Sequence, residues 1–144
     1  MPHALFQLSD RVFDTANLRQ ELLATSSGAY VSFEGWVRDN HAGKAVTKLS
    51  YHAHPHLALS EGARVLQEAL SSFAINDARC VHRVGALQLS ELAVWVGVSA
   101  GHRDAAFAAT RFIIDEVKAR VPIWKHEHYV AGAPQWLHQN PTSS

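Results

Sequence analysis

The stretch ARCVHRVGALQLSELAVWVGVSAGHRDAAF, residues 78–107, decides the fold. Two apolar, partly alternating runs, 78–87 and 92–100, are separated only by QLSE. Four residues cannot carry a crossover helix, so the spacing predicts an antiparallel hairpin. The second run, LAVWVGVSA, is apolar almost throughout and predicts a central strand. GHRDAAF then opens a helix that continues through FIIDEVKAR until Pro122 stops it, with Phe112, Ile113, Glu116, Val117 and Arg120 on adjacent faces.

The same reading extends in both directions from this unit. ALFQLS (4–9) is a short strand, and DTANLRQELLA is a helix with Asp14 or Thr15 as N-cap and Leu18, Leu22 and Leu23 on one face. YVSFEGWVR alternates Val31, Phe33, Gly35 and Val37 against Ser32, Glu34, Trp36 and Arg38, the pattern of a half-buried strand. The polar loop DNHAGKA and the strand VTKLSYHA follow, then Pro55 and the helix LALSEGARVLQEALSSF, with Leu59, Ala63, Leu66, Leu70 and Phe73 as its apolar face. IWKHEHYV closes the series. The order β-α-β-β-α-β-β-α-β predicts one α+β domain with three helices and a mainly antiparallel or mixed sheet, not a doubly wound fold. Residues 1–138 form this domain and 139–144 a frayed tail.

Composition limits the function. The 13 Lys+Arg balance the 13 Asp+Glu, so no global field recruits nucleic acid or an anionic membrane, and any anion specificity has to be local. No basic-then-apolar leader or long apolar run is visible, which makes the cytoplasm the default expectation. The single Cys80 cannot form an internal disulfide, and its apolar surroundings mark it as a small buried side chain without chemistry.

Cations are the informative residues. Gly101, His102 and Arg103 stand where an apolar strand gives way to a helix, so unpaired N–H groups, a helix dipole and a guanidinium converge, the outline of an anion site. A turn capped by His102, with Arg103 paired to a carboxylate, fits that stretch equally well. Arg38 ends its strand and Arg83 follows His82, both directed away from the core by alternation. Lys118 lies in the last turn of its helix, where the dipole alone accounts for a cation. Lys125 follows Trp124, beside which it would be partly desolvated and its pKa lowered. Such a lysine pair suits an anionic carbonyl substrate.

His52, His54 and His56 alternate in YHAHPHLAL, and three imidazoles on one face could ligate zinc. Pro55 interrupts that geometry, and no H-E-x-x-H or C-x-x-C spacing accompanies it, so incidental surface histidines are the better reading.

Taken in order, GAYVSFEGWVRDNHAGKAVTKLSYHA, HRVGAL, VWVGVSAGHRDAAF, FIIDEVKARVPIWKHE and GAPQW cover residues 28–136. Together they resemble the large, catalytic subunit of molybdopterin synthase. The resemblance implies an α/β-hammerhead type of fold and a homodimer in which each protomer binds a small ubiquitin-like sulfur carrier, giving a heterotetramer. It also implies a cytoplasmic sulfurtransferase of molybdenum cofactor biosynthesis. In that reaction the carrier's C-terminal thiocarboxylate donates sulfur to cyclic pyranopterin monophosphate, and two transfers build the dithiolene of molybdopterin. The sulfur arrives on the partner, which accounts for the lack of a usable cysteine; the resemblance calls for no cofactor, and His52, His54 and His56 are not part of the family pattern, which weakens a metal reading. By position, Lys118 and Lys125 match the active-site lysines, Arg38 the strand-end arginine, Phe33 the pocket aromatic, and His102 and Arg103 the pair on the pterin phosphate.

The chain departs from the pattern in two places. WLHQNPTSS lacks the arginine that follows the tryptophan in the family, so a contact donated across the dimer is lost or comes from another residue. Ile114 stands where methionine occurs, a volume-tolerant exchange. A zinc-dependent hydrolase built on His52, His54 and His56, or a non-catalytic partner-binding homologue, are the alternatives.

Overall fold

A computed structural model describes residues 4–138, so the tail at 139–144 lies outside the described residues. Within it the chain forms β1 (Phe6–Ser9), α1 (Thr15–Leu22), β2 (Ala29–Trp36), β3 (Asn40–His41), β4 (Lys44–Ala53) and α2 (Pro55–Ser72). The second half adds β5 (Ile75–Arg83), β6 (Gly85–Leu87), β7 (Leu92–Ala100), α3 (Arg103–Arg120), β8 (Ile123–Tyr129) and β9 (Gln135–His138). Three helices and mixed sheets make the α+β architecture expected from the sequence.

The first sheet runs β1-β5-β7-β2, with β1 parallel to β5 and the other pairs antiparallel. β7 is buried on both faces, as its unbroken apolar run requires. On one face Val96 and Val98 meet Val65 and Leu66 of α2 and Ile113 and Val117 of α3; on the other Trp95 meets Leu18 and Leu22 of α1. Asp14 caps α1, its side chain accepting from the Ala16 N–H at 2.9 Å. Leu23 is the C-cap and is exposed, not part of the buried face.

The second sheet runs β3-β4-β8-β9, and β6 also pairs with β4. The expected single strand 78–87 is therefore two. Gly85, at φ 89°, lets the chain leave the first sheet after Arg83 and enter the second. Val37, Leu49, Leu87 and Ala93 fill the seam between the sheets. β3 and β9 were absent from the sequence reading: β3 is only a two-residue pairing within the polar loop, and β9 follows a turn at Gly132.

Two further expectations are corrected. The buried face of α2 is Ala58, Gly62, Val65, Leu66 and Ala69, whereas Leu59 is exposed. Small residues let α2 approach β1 closely: a methyl built on Gly62 would overlap the Phe6 ring. Arg83 is buried, not directed away from the core, and pairs with Glu91 at 3.3 Å. Arg120, in the last turn of α3, joins Glu61 and Glu68 of α2 and Glu116 of its own helix at 2.7–3.1 Å, fixing the C-terminal end of α3 against α2. That end borders the seam between the sheets.

Candidate active site

At the seam lies a cavity of about 480 Å³, whose lining includes Arg38, Lys118 and Lys125. Arg38 arrives two residues beyond β2, Lys118 from the last turn of α3, and Lys125 from the third position of β8. Pro122 makes the last two converge. It keeps α3 from running past Arg120 and its C-cap Val121, and β8 starts at Ile123, so a helix-end lysine and a strand lysine face the same space.

Lys125 is largely enclosed, with 16% of its side chain exposed. Burial lowers its pKa below the ordinary 10.5, the carboxylate of Glu127 opposes that effect, and the charges of Lys118 and Arg38 add to it. The enclosing wall is not Trp124. Strand alternation turns Trp124 to the opposite face of β8, where its ring meets that of His138 at 6.2 Å between centroids. Leu49 and Tyr51 of β4 line the cavity instead. Burial, and then the charge of Glu127, push the Tyr51 phenol up to about 12, so it is a hydrogen-bond donor at neutral pH. Its ring stands edge-on to His82, whose Nδ1 is 2.7 Å from the Arg83 carbonyl oxygen.

A neighbouring cleft of about 460 Å³ is lined by Val31, Phe33, Phe107 and Ile114 among others, and it shares Lys118 with the cavity. Phe33 and Lys118 are thus brought together in an apolar groove that ends at the cations. His102 and Arg103 are not brought there. They are exposed at the N-terminal end of α3, and fifteen residues at 1.5 Å per residue put Arg103 about 22 Å along the axis from Lys118. His102 is the N-cap by position but makes no capping hydrogen bond through its side chain.

The three alternating histidines serve separate purposes. His52 lies 3.1 Å from the Ser50 hydroxyl and against Trp136, His54 caps α2 by accepting from the Leu57 N–H at 3.3 Å, and His56 is exposed in the first turn. Among the described residues no group of three or more His, Cys, Asp or Glu is arranged to hold a metal. Cys80 is fully buried, and burial pushes its thiol pKa far up, which removes it as a nucleophile. Among the described residues no helix is long and apolar enough to cross a membrane.

Sequence reasoning missed Glu127 and His41, both buried polar residues of the cavity wall. Glu127 was open to it, since Lys125 and Glu127 at i and i+2 of a strand share a face. His41 had no local signal; it sits in a polar loop and meets Glu127 only through the fold.

The model of the MoaE protein family matches residues 8–120. The molybdopterin synthase catalytic subunit of Pyrococcus abyssi is 47% identical over 104 residues, which are 72% of this chain and 70% of that protein. The subunit of the same name from Thermoplasma volcanium is 36% identical over 94% of this chain and 99% of its own. Among solved structures, molybdopterin synthase from Staphylococcus aureus superposes with a TM-score of 0.86 at 31% identity, covering 92% of this chain and 96% of that one. This chain belongs to the MoaE protein family.

Proposed function

We propose that this chain is the sulfur-transferring, catalytic subunit of a molybdopterin synthase, acting on cyclic pyranopterin monophosphate with sulfur from a small ubiquitin-like carrier. The observation that carries the reading is the convergence of Arg38, Lys118 and Lys125, from three separate stretches, on one partly enclosed cavity. Three cations facing the two carboxylates of Glu34 and Glu127 leave the cavity with a net positive charge, which an entering anion neutralises. A thiocarboxylate and the cyclic phosphodiester of the substrate each supply one negative charge.

The carrier's extended C-terminal tail lies in the apolar groove along Phe33, Phe107 and Ile114, and its thiocarboxylate reaches Lys118 where groove and cavity meet. Lys118 and Lys125 neutralise the thiocarboxylate and the charge that develops during transfer, and Arg38 holds the substrate phosphate. The pterin product gains the sulfur in two such transfers. With Cys80 buried, the chain needs no thiol of its own.

His102 and Arg103 complete the phosphate site only from a second copy, because their own helix holds them about 22 Å from Lys118. The functional unit is accordingly a homodimer with two sites, and with two carriers a heterotetramer. Relatives that bear the name catalytic subunit are consistent with a separate small subunit.

The test is reconstitution with thiocarboxylated carrier and cyclic pyranopterin monophosphate, reading molybdopterin formed. Wild-type protein turns over, whereas Lys118→Ala and Lys125→Ala lose at least about a hundredfold, the scale of one preorganised charge in a closed site, with unchanged circular dichroism. Near-normal turnover by both variants would refute the assignment.

A further inference from the structure

The cavity wall contains a buried pair that the proposed reaction leaves unused. His41 is 7% exposed and comes from β3, where Ala42 at φ 53° and Gly43 at φ 81° turn the chain straight back into β4. Its Nδ1 lies 2.6 Å from Glu127 Oε1, across 86 residues of sequence. The same oxygen lies 3.6 Å from Lys125 Nζ, longer than a charge-assisted hydrogen bond of about 2.7–2.9 Å. Imidazole and ammonium compete for one oxygen, and the imidazole holds the closer place.

Two features assign the donor. His41 Nε2 is enclosed and has no hydrogen-bond partner, so a proton there would be a buried donor left unpaired. The proton therefore belongs on Nδ1, where it is donated to the carboxylate. Ala42 is a non-glycine residue in the left-handed region, a conformation that persists where the surroundings hold it, and the His41–Glu127 contact anchors this turn to β8.

We propose that His41 is a positioning residue for Lys125: by donating its Nδ1 proton to Glu127 Oε1 at 2.6 Å it draws that carboxylate toward the imidazole and holds its contact with the ammonium at 3.6 Å, so the ammonium hydrogens stay available to an anion entering the cavity. This rests on the reading of Lys125 as an anion-receiving group. Glu127 faces Lys125 from its own strand, Lys118 from α3, Arg38 from beyond β2 and Tyr51 from β4; Glu34 of β2 and His82 of β5 line the same space. Of the charges that act on Lys125, the Glu127 carboxylate raises its pKa, while Lys118 and Arg38 lower it. Releasing Glu127 from the imidazole lets it close on the ammonium and shifts that balance upward.

Competitive acetylation of Lys125 across pH, quantified by mass spectrometry on the full chain, reads this without any sulfur transfer. In His41→Phe, which has no donor, reactivity at a fixed alkaline pH falls about threefold or more as the amine becomes harder to deprotonate. In His41→Asn, whose side-chain amide replaces the Nδ1 donor, it stays at the wild-type level. Equal or faster labelling in the phenylalanine variant overturns the proposal, and a purely structural role would lower Tm without moving the labelling curve. If His41→Phe does not fold, ¹⁵N NMR of the wild-type imidazole decides: a proton on Nδ1 supports the assignment and a proton on Nε2 defeats it. Failure of the reconstitution assay would leave both readouts interpretable, so the two proposals fall separately.

Discussion

Lys125 works under opposed influences, and their signs set its pH behaviour. Burial, Lys118 and Arg38 lower its pKa and Glu127 raises it, with a net value below 10.5. Between that lowered value and 10.5 the unfolded chain holds more protons than the folded one, so the residue's contribution to stability improves as pH rises through this window. Activity moves the other way. If the ammonium neutralises the thiocarboxylate, kcat/KM falls as pH rises through the lowered pKa, earlier than an exposed lysine would allow. Lys125→Arg, which keeps its charge at every accessible pH, loses this alkaline limb even if its geometry lowers the maximum rate. An unchanged limb in that variant would assign the titration to another group. At this scale the sequence was informative where a cation stood at or just beyond the end of an element, as at Arg38 and Lys118, or beside a helix-stopping proline, as at Lys125. It was silent on His41, because a 2.6 Å contact between residues 41 and 127 has no local pattern.

Each helix and strand repeats that division between local signal and tertiary packing. Alternation gave β2 its faces, and the short QLSE segment gave the β5–β7 hairpin, because both signals are local. The face of α2 was displaced because large apolar residues were weighted over small ones, while its buried face includes Ala58, Gly62 and Ala69. Gly62 makes the point testable. In an open helix, replacing glycine by alanine stabilises by about 1 kcal/mol. Here the added methyl meets the enclosed Phe6 ring, and overpacking of about 1–3 kcal/mol outweighs that gain. The net cost, up to about 2 kcal/mol, lowers Tm of Gly62→Ala by up to roughly 8 °C in a thermal melt, for a chain of this size. A rise in Tm would show that Phe6 yields easily. The break between β5 and β6 was equally hidden, since HRVGAL reads as continuous strand until Gly85 is seen at a positive φ.

For the whole molecule, the long α3 is the decisive object. It carries Lys118 at one end and Arg103 at the other, about 22 Å apart along the axis, so a compact site that uses both draws them from different copies. The sequence placed these cations on the elements that carry them in the structure, yet the helix that follows from the same periodicity separates Lys118 from Arg103, a separation that no motif displays. In the proposed site, one copy's lysine pair works with the other copy's His102 and Arg103. The most direct measurement uses a mixed dimer, isolated through two affinity tags, of one Lys125→Ala protomer and one Arg103→Ala protomer, each inactive as its own homodimer. Across the dimer, both lesions fall in one site and leave the other whole, so the mixed species should recover about half of wild-type molybdopterin formation per dimer. No recovery above the two parent variants would rule out a site shared between copies.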